Sequence, residues 1–157
     1  MNIFVLDNDV KKCAQYHCDK HVVKMIIEYA QMLSTTVRLT TNEDIGYKIT
    51  HKNHPCTIWV RKSLSNWKWL RELSKEVNDE YRYRYDKDVN HKSFDVIQSL
   101  PEPNIPDIGL TEFPLAMPEY CMVETPTESY RNYYMKEKSN FVSWKKRETP
   151  KWYSNVE

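Results

Sequence analysis

Val22, Ile26, Ala30, Leu33 and Val37 recur at intervals of three and four residues, and no other feature constrains this chain's fold as strongly. Such spacing lays one continuous apolar stripe along a helix that runs to about Arg38, and the stripe must be buried against other elements. Composition argues the same way. Two glycines against five Trp, eleven Tyr and eight Pro suit helices joined by proline-punctuated loops rather than a glycine-turned sheet. The expected fold is mainly all-α: one compact helical domain over residues 1–157, with a short N-terminal extended segment and a Pro-rich strap.

Asn2 to Leu6 is a short apolar run, either a lone strand or a buried extended arm, and Asp7, Asn8 and Asp9 then offer helix caps. The helix that follows is expected to break near His17. Thr40 to Lys52 is polar and reads as a loop. Asn53-His54-Pro55 opens a second long amphipathic helix, which carries Trp67, Leu70, Val77 and Tyr81 and ends near Arg84. Ser93 to Leu100 makes a short third. Pro101, Pro103, Pro106, Pro114 and Pro118 forbid regular helix and imply an extended ordered strap or a mobile lid. Thr125-Pro126-Thr127-Glu128 is a capping-box pattern that starts a last helix to about Arg147. Pro150 stops it before the aromatic tail Trp152-Tyr153.

The charge balance narrows the partners. With 23 basic and 22 acidic residues, the chain lacks the excess of cations that strong non-specific duplex binding requires. No apolar run approaches the roughly 20 residues that span a bilayer, and no signal pattern opens the chain. A cytoplasmic protein without a membrane partner is expected, with Cys13, Cys18, Cys56 and Cys121 as thiols.

On the helix stripe, His21 and Glu28 lie two turns apart and project from nearly one face. A carboxylate at the edge of an apolar stripe is costly unless paired or functional. Glu28 is therefore read as a general acid/base or as an anchor for a cationic intermediate, with His21, Lys20 and Lys24 positioning a substrate. The plainer alternative is an ion pair of Glu28 with Lys24 at i−4. His17 and His21 also have the i, i+4 spacing by which a helix holds zinc, but Cys18 stands where helical zinc hydrolases place glutamate, and Lys20 and Lys24 bring positive charge. No metal or cofactor is expected. Asn53 and His54 at a helix start suit a phosphate or a cap, and Cys56 suits a thiol of lowered pKa. The aromatic excess, Trp59, Tyr133, Tyr134 and Trp152 included, suits either a packed core or stacking on a nucleobase, with Arg61 and Arg131 as contacts to base edges or phosphate.

Three stretches resemble the bacteriophage pyrimidine-dimer DNA glycosylase family of endonuclease V, and the whole chain resembles proteins of tailed phages. Asp19-Lys20-His21-Val22 with Glu28 is similar to that family's Asp-x-His stretch and its catalytic glutamate. Pro55-Cys56-Thr57 resembles its second helical block, and Thr149-Pro150-Lys151-Trp152-Tyr153 its tail. The resemblance implies an all-α fold and an N-terminal α-amine that attacks the sugar C1′ to form a Schiff base, with Glu28 moving protons. An α-amine suits the role because a usable fraction is neutral near physiological pH. The family's nucleophile is a threonine exposed by removal of the initiator methionine. Here Asn2 discourages that removal, so the amine belongs to Met1, and the basic residues that flank the family's glutamate are replaced by Ile27 and Gln31. The expected function is cleavage of an N-glycosidic bond after recognition of a base, in DNA or a nucleotide. The alternative is a binding protein that sequesters a small nucleotide signal, for example in counter-defence.

Overall fold

The computed structural model describes residues 1–154, and these form six α-helices and one short 3₁₀ turn, with no strand among the described residues. The helices are α1 (Val10–Tyr16), α2 (Asp19–Thr41), α3 (Pro55–Lys62), α4 (Leu64–Arg84), α5 (Lys92–Ser99) and α6 (Pro126–Glu137). Among the described residues none is long and apolar enough to cross a membrane.

Helix α2 is the axis of the molecule. Its stripe is fully buried and packs against α3, α4 and α5, while α1 lies on α4. The break expected near His17 is real: His17 and Cys18 are extended, and α2 restarts at Asp19. Asp9 caps α1 by accepting from the Lys12 N–H, and Thr125 caps α6 by accepting from the Glu128 N–H. The apolar run 2–6 is the buried arm and not a strand. Ile3, Phe4, Val5 and Leu6 all enter the core.

Two helix boundaries differ from the sequence reading. The long helix expected from residue 53 to Arg84 is split at Ser63, whose extended backbone separates α3 from α4. The Ser63 hydroxyl is engaged by the strap, donating to Asp107 at 3.2 Å and accepting from the Ile108 N–H at 3.1 Å. The last helix ends at Glu137, ten residues before Arg147. The chain beyond it is held by bonds to distant backbone and side chains: Ser143 O accepts from the Asp19 N–H, and the Trp144 indole donates to Tyr16 O. These long-range bonds replace the local i→i−4 ladder.

The Pro-rich segment is an ordered strap. Thr111 exchanges hydrogen bonds with Asn66, and Phe113 packs at a tilt against Trp59 and Trp69, with ring centroids 5.4 and 4.7 Å away. Pro114 O then accepts from the Tyr130 hydroxyl, and Ala116 O from the Asn2 amide. The strap thus ends against the N-terminal arm. The four cysteines are buried free thiols.

Candidate functional site

The site begins with Asn2. Its Oδ1 accepts from the N–H groups of Ile3 and Phe4 at 2.7 and 3.0 Å, and its Nδ2 donates to Ala116 O at 2.7 Å. This clamp bends the start of the arm and aims it at α2. Phe4 sits at φ 58° and Leu6 N–H closes a tight turn onto Phe4 O. A left-handed backbone at a bulky residue costs on the order of 1–3 kcal/mol, held in place by the surrounding packing. The result is that the Met1 amine lies 3.4 Å from Glu28 Oε1, and the same oxygen accepts from the Asn2 N–H at 3.1 Å. The Glu28 side chain is 15% exposed and that of Met1 only 2%. Lys24 is not the partner of Glu28; the α-amine is.

His21 is fixed from behind. The Tyr134 hydroxyl accepts from the Cys18 N–H at 3.1 Å and lies 2.6 Å from His21 Nδ1. When the phenol gives its own proton to Nδ1, the imidazole proton rests on Nε2. Phe4 stacks on the ring at 4.2 Å and Phe141 meets its edge at 5.7 Å. Burial, followed by the influence of His17, Lys138 and Lys24, lowers the His21 pKa to about 3. At neutral pH His21 is therefore an uncharged donor.

These groups converge on a cleft of about 170 Å³ lined by Met1, Asn2, Phe4, His21, Lys24, Met25, Glu28, Tyr133 and Lys138. Tyr133 stacks on Phe4 at 5.7 Å, so Tyr133, Phe4 and His21 form one run of nearly parallel rings along the wall. Chemically, the cleft offers an amine beside a carboxylate, a neutral imidazole donor and two lysine ammonium groups. That set can move protons around an electrophilic carbon and hold an anion.

The structure brings together Met1, His21, Lys24 and Glu28 of the residues singled out by sequence, with Lys20 one turn before Lys24 on the same helix. His54 lies close enough to feel the charges of the Met1 amine and Glu28, although burial is the first cause of its lowered pKa. It caps α3 by accepting from the Cys56 N–H, a role shared in expectation with Asn53, which is exposed. The remaining residues lie outside the cleft. Trp59 is buried beneath the strap against Trp69 and Phe113, and Arg61 donates to Lys52 O. Arg131 pairs with Asp7 and donates to Leu6 O, beneath Trp152, which packs on Tyr16 and Tyr134. Cys56 is not an activated thiol, because burial pushes it up to about 12. His17 points away from His21: Nδ1 meets Cys13 O at 2.7 Å, and Nε2 meets the Tyr29 hydroxyl, which also reaches Ile3 O. Among the described residues no three His, Cys, Asp or Glu side chains converge as a metal site would.

Asp19, part of the quoted motif, is structural. It pairs with the fully buried Arg84 at 3.1 Å and accepts from the Ser143 hydroxyl and the Lys145 N–H. Sequence reading missed Asn2, Phe4 and Lys138 as members of the site, and treated Tyr133 and Tyr134 only within the aromatic excess. The one available signal was an Asn directly after Met1, a residue type that clamps its own following N–H groups.

A family model described as pyrimidine dimer DNA glycosylase matches residues 1–93, which hold the arm, α2 and Glu28 but not Tyr133, Tyr134 or Lys138. No curated protein and no solved structure matches the chain.

Proposed function

Because the chain belongs to the pyrimidine dimer DNA glycosylase family, we propose that it cleaves an N-glycosidic bond in DNA with the Met1 amine as nucleophile and Glu28 as the proton-transfer group. The observation that carries this reading is the 3.4 Å approach of the Met1 amine to Glu28 Oε1 at the edge of a cleft. The neutral amine attacks the sugar C1′ while the C1′–N bond to the base breaks, and the base leaves with that electron pair and takes a proton from water. Glu28 takes a proton from the amine nitrogen now bound to C1′ and passes it to the ring oxygen as the C1′–O bond breaks. The sugar is then open and a protonated C1′=N Schiff base remains. The carboxylate also stabilises the positive charge that develops at C1′. His21 donates from Nε2 to an oxygen of the sugar or base, and its depressed pKa keeps it an uncharged donor. Lys24 and Lys138 hold a phosphate at the mouth.

Borohydride trapping on duplex and single-stranded DNA with an abasic site or a damaged base, followed by mass mapping, tests the reading. A covalent adduct at the Met1 amine is expected. Glu28→Gln should lower its rate of formation by about 10²–10⁴-fold, the usual contribution of a positioned acid/base. An adduct elsewhere, or none, overturns the assignment.

A second reading, the sequestering of a small nucleotide, is supported by the modest cleft and by the formal net charge of +1. It requires nucleotide-dependent thermal stabilisation without any trapped adduct, and in it Glu28→Gln changes affinity alone.

A further inference from the structure

Lys20 and Lys24 stand one turn apart on α2, both exposed, and Lys24 lines the Glu28 cleft. Across the cleft, at the C-terminal end of α6, Lys138 extends the same charge. Its ammonium lies 4.8 Å from the centroid of Tyr133 and 5.9 Å from that of Phe141, and the Lys20 ammonium lies 4.9 Å from the other neighbour of this ridge, the same Phe141 ring. The order across the surface is thus lysine, Phe141, lysine, Tyr133, and then the cleft. Both rings are half-buried, Tyr133 stacked on Phe4 and Phe141 set edge-on to His21. None of the three lysines has a carboxylate within 4.0 Å among the described residues, whereas Arg84, Arg131, Arg147 and Lys146 are all paired. The one carboxylate of the cleft, Glu28, is engaged by the Met1 amine and the Asn2 N–H.

We propose that the Lys20–Phe141–Lys138–Tyr133 strip is a binding track for a single DNA strand, feeding one unpaired nucleotide into the Glu28 cleft. The inference rests on the reading of that cleft as the reaction site and adds the form of the substrate. Two physical arguments favour a single strand over a duplex. Stacking platforms that alternate with cations match unpaired bases, whose faces are free, and not the closed stack of a double helix. Duplex affinity also needs many simultaneous phosphate contacts, whereas the two lysines of this strip and Lys24 of the cleft together supply three cations on a chain of formal net charge +1.

Fluorescence anisotropy with one labelled, unmodified oligonucleotide, free and annealed to its complement, tests this over a range of salt. Unmodified DNA keeps the measurement independent of glycosidic cleavage. The single strand should bind more tightly than the duplex. The slope of log K against log salt should be about −2, three phosphates at about −0.7 each, so that binding weakens about 20-fold between 50 and 200 mM salt. Lys20→Gln and Lys138→Gln are surface changes, and each should flatten the slope by about 0.7 while the control Lys62→Gln leaves it unchanged. Tighter duplex binding overturns the proposal, as does an unchanged slope in both lysine variants. A mononucleotide that binds as tightly as the oligonucleotide overturns it too. Failure here with a trapped Met1 adduct would remove the track and keep the glycosylase reading. A lysine-dependent slope without any adduct would do the reverse.

Discussion

Two concentrations of charge meet on α2, little more than two turns apart, and they are built on opposite plans. At Asp19 every charge has a partner. Arg84 is fully buried, bonds Asp19 and Glu80 at 3.1 Å each, and donates to His17 O and Gln15 O; Glu80 in turn holds Arg147 at 2.8 Å. At Glu28 the carboxylate is engaged by the N-terminus, but Lys20, Lys24 and Lys138 have no carboxylate partner among the described residues. The first cluster is closed and ties α1, α2, α4 and the C-terminal segment together. The second is open and has the charge balance of a place where an anion arrives from outside. Asp19 thus ties the fold together, whereas Glu28, in the same short stretch, lines the cleft.

Arg84→Ala has the largest expected effect. It leaves the part-buried Asp19 without a cation and the buried Glu80 with Arg147 alone, and the expected cost is about 3–5 kcal/mol of unfolding free energy, read by urea denaturation. Glu28→Gln should cost far less stability while removing turnover, so the two variants exchange their effects on folding and activity. If Arg84→Ala melts like the parent protein, the closed cluster is not a structural tie.

Acid should expose the two histidines that border these clusters. Burial holds His17 at about 4 and His21 at about 3, both below the ordinary 6.5. The unfolded chain therefore takes up these protons first. The contribution is fully present above about pH 6.5 and falls as pH drops through the window down to the folded values, by about 1.4 kcal/mol per pH unit for each histidine. Denaturation midpoints between pH 7 and 4 check this, and a His21→Asn variant should show a shallower acid slope. An unchanged slope would mean that the ring is charged in the folded protein.

Tyr134→Phe sharpens the open side with a smaller effect. It strips His21 Nδ1 and the Cys18 N–H of their common partner and should destabilise the fold by about 1–3 kcal/mol. It also frees the imidazole proton to move from Nε2 to Nδ1, so the NMR signals of His21 should report a mixture of tautomers. A single unshifted tautomer would show that the phenol does not orient the ring.

The parts of the molecule legible in the sequence are those whose causes are local. The stripe from Val22 to Val37, the break at His17 and the caps at Asp9 and Thr125 follow from periodicity and from side chains that bond their own following N–H groups. Ser63 carries no such mark, because its extended backbone is held by Asp107 and Ile108 more than forty positions away. Tyr134, Phe141 and Trp144 imitate helical spacing, yet only Tyr134 lies on α6. The other two reach His21 and Tyr16 by turns fixed through long-range bonds. The same holds for the cleft. His21 and Glu28 share one helix and were visible as a pair, while Asn2, Phe4, Tyr133 and Lys138 come from the two ends of the chain and meet them only in the folded protein.

The clamp between Asn2 and Ala116, and that between Tyr134 and the start of α2, have a kinetic consequence. Each closes a loop of more than one hundred residues, and loop closure on that scale follows local helix formation. During synthesis, Glu28 leaves the ribosome long before Lys138, and the helices can form while the pocket still lacks a wall. Helical signal is thus expected to return ahead of activity on refolding. Completion of the cleft is set by the last stretch of chain to arrive rather than by the helix that bears Glu28.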